Sequence, residues 1–295
     1  DKPVDFVLPN GFDNDFVPKA SAFTRKRKAA RVQLLRVANA LMGTDLQDDT
    51  LIVSTSGRYE YRNKGLDVFI EAMNRLRSDE RLNRHVLAFI EVPGWVGEAR
   101  HDLKERLRSG KGTVTPLPDP TLTHWLRDMN NDKVMGALKY FGIHNVQEDR
   151  VKVIFVPCYL TGNDGIIDLP YYDVVLGNDL CIYPSYYEPW GYTPLESVAF
   201  KTPCITTDLS GFGQWVDSVL GRTGTLTDGV SVLHRDDNNY FECAAEICQV
   251  IQQFMNAPKA DRDKMRRNAA KFANKAQWEN FVAYYYKAYE FALNK

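Results

Sequence analysis

The chain has 295 residues, 44% hydrophobic and 25% charged, which is the composition of a globular protein able to build one large or two small domains around a sizeable core. Its 37 basic residues nearly balance 38 acidic ones, so no whole-molecule field would draw it to nucleic acid or to an anionic membrane. Any anion it binds must be held by a local site.

In chain order, an amphipathic stretch over 25–42 places Leu34, Leu35, Ala38, Leu41 and Met42 on one helical face. A strand, LIVST (51–55), precedes a helix over 65–77 and a second strand, HVLAFIEV (85–92). From 93 to 149 the pattern loosens: a polar helix, ARHDLKERLR, leads into the Gly-, Pro- and Thr-rich loop GKGTVTPLPDPTLT. This stretch reads as an insertion within one domain that covers 1–295. Regular alternation resumes with VKVIFV (151–156) and LCIYP (180–184), a helix over 193–200, PCITT (203–207), VSVL (230–233), and helices over 237–256, 259–274 and 276–293. Short β-branched runs separated by longer amphipathic ones predict an α/β fold, a doubly wound, Rossmann-like parallel sheet with its ligand at the carboxyl ends of the strands.

Three segments stand at such ends. The first, Ser56 to Gly65, has Gly57 to turn the backbone and two cations, Arg58 and Lys64, suited to a diphosphate; a solvated polar loop would look the same. The second, Tyr186 to Glu196, follows LCIYP and opens a helix. Thr193 reads as its N-cap, Pro194 as the first helical residue and Glu196 as the far half of a capping box, which alone would explain Glu196. Free N–H groups at a helix start reached through Gly191 also form an anion site. Glu188 flanks the same turn, and Tyr192 offers an aromatic face to a base or to the core. The third, Asp208 to Trp215, combines glycines that allow close backbone approach with a Ser N-cap, equally consistent with a plain turn.

Other chemistries lack their signatures. Neither Gly-x-Gly-x-x-Gly nor a P-loop is present, and the five histidines have no metal-ligand spacing. The run Arg25 to Lys28 reads as the solvated face of a helix. Cys158, Cys181, Cys204, Cys243 and Cys248 form no Cys-x-x-Cys and are expected as buried thiols in a reducing cytoplasm. No run approaches the roughly 18 apolar residues of a membrane span, and DKPVDFVLPNGFD lacks the layout of a signal peptide. A start at Asp1 rather than Met reads as a mature terminus or a boundary inside a longer protein, the second preferred.

The strings VLPNGFD (7–13), SGRYEYRNKGLDVFIEAMNRL (56–76), DRVKVIFVPCYL (149–160), YPSYYEPWGYTPLESVAF (183–200) and TTDLSGFG (206–213) resemble the glycogen synthases of the eukaryotic type. The resemblance runs through most of the chain and is weakest in the insertion and after about residue 220. It implies the carboxyl-terminal, donor-binding half of a GT-B glycosyltransferase, with the amino-terminal acceptor domain outside this chain. It further implies transfer of glucose, with retention, from a nucleoside diphosphate glucose, UDP-glucose favoured, to the non-reducing 4-hydroxyl of an α-1,4-glucan. Carried over by motif, Arg58 and Lys64 grip the diphosphate, Glu188 sits beside the transferred glucose, Tyr192 stacks on the base, Thr193 contacts phosphate and Glu196 holds ribose hydroxyls, with no metal or other cofactor.

Two departures from the family pattern stand out. Arg262, Arg266 and Arg267 occupy a region where sugar-phosphate-regulated relatives carry a denser arginine cluster, and the insertion is shorter than the helical one that builds their oligomer, leaving a homo-oligomer open. Without the acceptor domain the chain is expected to bind donor and turn over poorly or not at all. The alternatives are a retaining GT-B transferase with another acceptor, or a nucleotide- or glucan-binding module without catalysis.

Overall fold

A computed structural model describes residues 4–110 and 115–294; part of the Gly-, Pro- and Thr-rich loop, at 111–114, lies outside the described residues. In chain order the elements are α1 (Ala20–Met42), β1 (Leu51–Ser56), α2 (Leu66–Arg77), β2 (Val86–Glu91), β3 (Val96–Ala99), α3 (His101–Ser109), β4 (His124–Leu126), α4 (Lys133–Tyr140) and β5 (Val151–Val156). There follow α5 (Tyr171–Gly177), β6 (Leu180–Ile182), α6 (Tyr192–Ala199), β7 (Cys204–Thr207), α7 (Gly211–Leu220), β8 (Val230–Leu233), α8 (Tyr240–Asn256), α9 (Lys259–Lys275) and α10 (Trp278–Leu293). All six expected strands form one sheet in the order β5-β2-β1-β6-β7-β8, with every pairing parallel.

Counting only these six strands along the chain, the spatial order is 3-2-1-4-5-6, the doubly wound arrangement of dinucleotide-binding sheets. The order reverses between β1 and β6, so helices leave their carboxyl ends toward opposite faces and open a crevice there. Each strand is buried along its whole length, which is why it reads as a continuous apolar run instead of an alternating one. One face packs on α2, α4 and α8 through residues such as Phe69, Leu138 and Ile247, and the other on α1 and α3 through Leu34, Leu41 and Leu103. Trp190, Phe212, Phe272 and Phe281 tie α7, α9 and α10 into a third cluster.

The stretch between β2 and β5 joins the core through Leu103, Leu122, Val134 and Leu138, and a buried cation organises its irregular part. Arg100, fully buried, pairs with Asp102 at 2.7 Å, donates to the carbonyls of Asp119 and Leu122, and lies 4.5 Å from the Trp125 ring centroid. One cation thus satisfies several carbonyls of an irregular segment that has no ladder of its own.

A buried charge also organises the opposite end of the sheet. Asp179, just before β6, receives Arg27 at 2.8 Å, Arg31 at 2.7 Å and Arg266 at 2.9 Å, and accepts the Ile52 N–H. The basic run is the solvated face expected except at Arg27: Arg25, Lys26 and Lys28 are exposed, Lys26 pairing with Asp173 at 2.9 Å, whereas Arg27 is half-buried on Asp179. The helical turn that carries the run packs against α5, and its long side chains reach over that surface to acidic partners. The cysteines are all free thiols; four are buried and Cys248 is partly so. No helix among the described residues is long and apolar enough to cross a membrane.

Candidate functional site

Gly57, at φ 137°, turns the chain as it leaves β1. Gly65, at φ 67°, caps α2, and a Cβ there would collide with the Pro184 carbonyl from the loop after β6. Tyr186 donates its N–H to the Asn63 carbonyl at 2.9 Å, so the first and second motif segments lie against each other. The second and third interlock as well: the Glu188 N–H meets the Leu209 carbonyl at 3.1 Å, the Gly211 N–H meets the Glu188 carbonyl at 3.0 Å, and Ser210 Oγ donates to the Trp190 carbonyl at 2.9 Å. Ser210 does stand at the N-cap of α7, but its hydroxyl is committed to this loop and not to the cap.

The close approach at Gly65 has a measurable consequence. Gly65→Ala is expected to cost roughly 2–5 kcal/mol, combining left-handed strain with a backbone collision. Gly221→Ala, at the same φ but with open space around it, should cost about 1–2 kcal/mol. Urea denaturation of the two variants compares them directly, and equal losses would refute the tight junction between β1 and β6 loops.

The two cations of the first segment differ in setting. Lys64 is ion-paired directly with Glu188, their side chains only 12% and 15% exposed. Burial lowers the Lys64 pKa, the Arg58 charge lowers it further, and Glu60 opposes both. Arg58 is 74% exposed and holds Glu60 at 2.9 Å.

The start of α6 departs from expectation. Gly191, at φ 110°, is the N-cap, and the helix begins at Tyr192, which puts Thr193 and Pro194 inside the first turn. No side chain caps it, so the capping box between Thr193 and Glu196 does not form. The left-handed glycine brings the chain into helical conformation two residues early, and Pro194 is tolerated because first-turn N–H groups have no intrahelical acceptor anyway. Glu196 instead accepts the Tyr172 hydroxyl at 3.2 Å, and burial, partly offset by hydrogen bonds from Tyr172 and Tyr171, lifts its pKa to about 7.

A cleft of about 390 Å³ opens at this edge of the sheet, lined by Gly57, Arg58 and Thr193 together with Ser56, Glu91, Cys158, Leu160 and Tyr171. Tyr192, 47% exposed, is not among its lining residues; the rings that line it are Tyr159 and Tyr171, and the Tyr171 hydroxyl meets Ser56 Oγ at 2.9 Å. Tyr171, Cys158 and Glu91 escaped the sequence reading. Only Glu91 carried a signal, as the one acidic residue in the apolar run HVLAFIEV. A larger concavity is lined wholly by the 93–149 stretch, Trp125 and Met129 among its residues, and contains none of the motif residues.

Residues 2–109 and 99–295 match the family model described as Glycogen synthase. The chain belongs to the glycogen synthase family. It is 27% identical to glycogen [starch] synthase isoform 2 of Saccharomyces cerevisiae over 99% of its own length and 50% of that protein, and 25% identical to the human liver glycogen [starch] synthase over 99% and 48%. The chain spans about half the length of these relatives. Among solved structures it superposes on sucrose-phosphate synthase from Thermosynechococcus elongatus with a TM-score of 0.54 at 20% identity, covering 97% of this chain and 52% of that one. Anabaena HepE, solved in complex with UDP and glucose, superposes with a TM-score of 0.53 at 14% identity, covering 98% and 56%. The fold is the Rossmann-like sheet of a GT-B glycosyltransferase.

One further grouping in this glycogen synthase family chain could interest a metal ion. His124, Cys158 and Asp164 bring potential ligand atoms within 4.8 Å of one another. Two of the three are already engaged, however. His124 bonds the Thr123 hydroxyl at 2.9 Å and the Asp164 carbonyl at 3.1 Å, and the Asp164 carboxylate accepts the N–H groups of Ile166, Ile167 and Asp168. The group acts as a clasp between β4 and the loop after β5.

Proposed function

We propose that this chain is the donor-binding half of a glycogen synthase, and that in the whole protein it delivers glucose from UDP-glucose to the non-reducing 4-hydroxyl of an α-1,4-glucan with retention. The observation that carries the reading is the junction of three motif loops at the β1–β6 switch point, where a buried Lys64–Glu188 pair stands beside an uncapped helix start. Departure of a nucleoside diphosphate builds negative charge on phosphate oxygens. Lys64, the exposed Arg58 and the first-turn N–H groups around Thr193 would stabilise that charge, and without a metal.

Glu188 would position the transferred glucose and support positive charge at its anomeric carbon, with Lys64 shared between it and the diphosphate. Glu196 would hold ribose hydroxyls. The acceptor glucan would be held by a second domain outside this chain, and the 93–149 stretch would be an insertion on the donor domain. Exposed aromatic side chains on α10, Trp278, Tyr286 and Tyr289, fit a face that meets another domain. We place the protein in the cytoplasm, where its free thiols would stay reduced.

Calorimetric titration with UDP and ADP tests the site. Saturable binding of UDP is expected, weakened about tenfold or more by Arg58→Ala and by Glu196→Ala. Binding that survives both substitutions unchanged would refute the assignment while leaving the fold intact.

A further inference from the structure

Glu91 ends β2, in register with Ser56 of β1 and Val156 of β5. Its residue is 5% exposed, and neither carboxyl oxygen has a hydrogen-bond partner among the described residues. A buried carboxyl without a partner costs folding free energy, and a leucine or isoleucine at the end of so apolar a strand would avoid that cost. Nothing in the packing around β2 makes use of the charge or the hydrogen-bonding capacity. Yet the group lines the cleft that also contains Gly57, Arg58 and Thr193.

The polarity of that cleft fixes which part of a ligand meets Glu91. Gly57, Arg58 and Thr193 supply the phosphate side, whereas the Cys158 thiol, Leu160 and the Tyr171 ring form an apolar wall suited to a flat ring. A flat ring bound there would present its polar edge to whatever hydrogen-bonding group the wall contains, and the unpartnered one is Glu91.

We propose that the Glu91 carboxyl reads the hydrogen-bonding edge of the donor's nucleobase, an inference that rests on the donor-site reading above. Burial pushes its pKa up to about 8, so the free site holds a neutral acid with one O–H donor and one carbonyl acceptor. The imide edge of uracil offers an N–H beside a C=O and pairs with that acid in two hydrogen bonds. The edge of guanine presents the same pair at N1–H and O6, so this contact reads a polar base edge without separating uracil from guanine. A glutamine at 91 keeps one donor and one acceptor, whereas a leucine keeps neither.

The test is calorimetric titration of the chain, Glu91→Leu, Glu91→Gln and Arg58→Ala with UDP and inorganic pyrophosphate. The wild-type chain is expected to bind both ligands, UDP more tightly than pyrophosphate. Glu91→Leu should bind UDP about tenfold more weakly while leaving pyrophosphate affinity unchanged, and Glu91→Gln should stay within about threefold of wild type for UDP. If Glu91→Leu binds UDP as tightly as wild type while Arg58→Ala weakens both UDP and pyrophosphate, base reading by Glu91 is wrong and the donor site stands. Glutamine as damaging as leucine would overturn the neutral-acid pairing. Failure of the wild-type chain to bind either ligand would overturn the donor-site reading and this inference with it.

Discussion

Replacing Asp179 with alanine lowers the melting temperature of the chain by on the order of 10 °C, followed by circular dichroism. The carboxylate is the shared counter-ion of Arg27, Arg31 and Arg266, which come from α1 and α9, and it also accepts the Ile52 N–H at the start of β1. Burial alone would raise its pKa; the charges of Arg31, Arg266 and Arg27 more than reverse that and leave it below the ordinary carboxylate value. Removing it leaves three guanidinium groups crowded in a poorly solvated space, a change worth about 3–5 kcal/mol for one broken buried pair. In a chain of this size each kcal/mol moves the melting point by about 2–4 °C. Arg266→Met in the Asp179→Ala background should recover part of the loss by removing one unpaired charge. A loss under about 2 °C for Asp179→Ala would mean that water already screens the cluster. The sign with pH follows from the depressed pKa: this contribution is present above the unfolded carboxyl value and is lost as pH falls through the folded one.

What the sequence made legible, and what it did not, divides along physical lines. The six sheet strands were visible because each is buried on both faces and so reads as an uninterrupted β-branched run, and the long helices because their apolar stripes have helical period. β3, β4, α4 and α5 were not: they are short, and β3 and β4 pair only with each other, β3 without a fully buried residue to give it an apolar run. The helix over 193–200 was found, but its cap was misplaced. Spacing favoured Thr193, and only the left-handed conformation of Gly191 moves the start to Tyr192.

The candidate site shows the same division. Arg58, Lys64 and Glu188 lie on loops at strand ends and Thr193 in the first turn of the helix that follows one, where a doubly wound fold announces its ligand position in advance. Tyr171 and Cys158 reach the cleft from segments with no pattern of their own, and the pairing of Lys64 with Glu188 joins residues 124 positions apart. Such a partnership is a product of the sheet order, and spacing within one segment carries no trace of it.

Glu91 gives the second large effect, and its sign is opposite to that of Asp179. The carboxyl has a pKa of about 8 in the folded chain against an ordinary value of 4.5, so between those limits the folded state keeps a proton that the unfolded state has released. Stability contributed at low pH is therefore lost as pH rises through this window, by roughly 4–5 kcal/mol at about 1.4 kcal/mol per pH unit. Glu196, raised to about 7, adds a smaller loss of the same sign. Glu91→Gln should match wild type near pH 5 and melt on the order of 10 °C higher near pH 9. Coincident melting curves at both pH values would show that water reaches the carboxyl and would remove the case for its burial. The titratable groups around it do not confuse the experiment in that range: burial lifts the Cys158 thiol to about 12, raises Cys181, and holds the Tyr171 hydroxyl well above its usual value. A residue whose conservative replacement makes the unliganded chain more stable is one that packing alone would not retain, and its position at the cleft assigns the compensating interaction to a ligand.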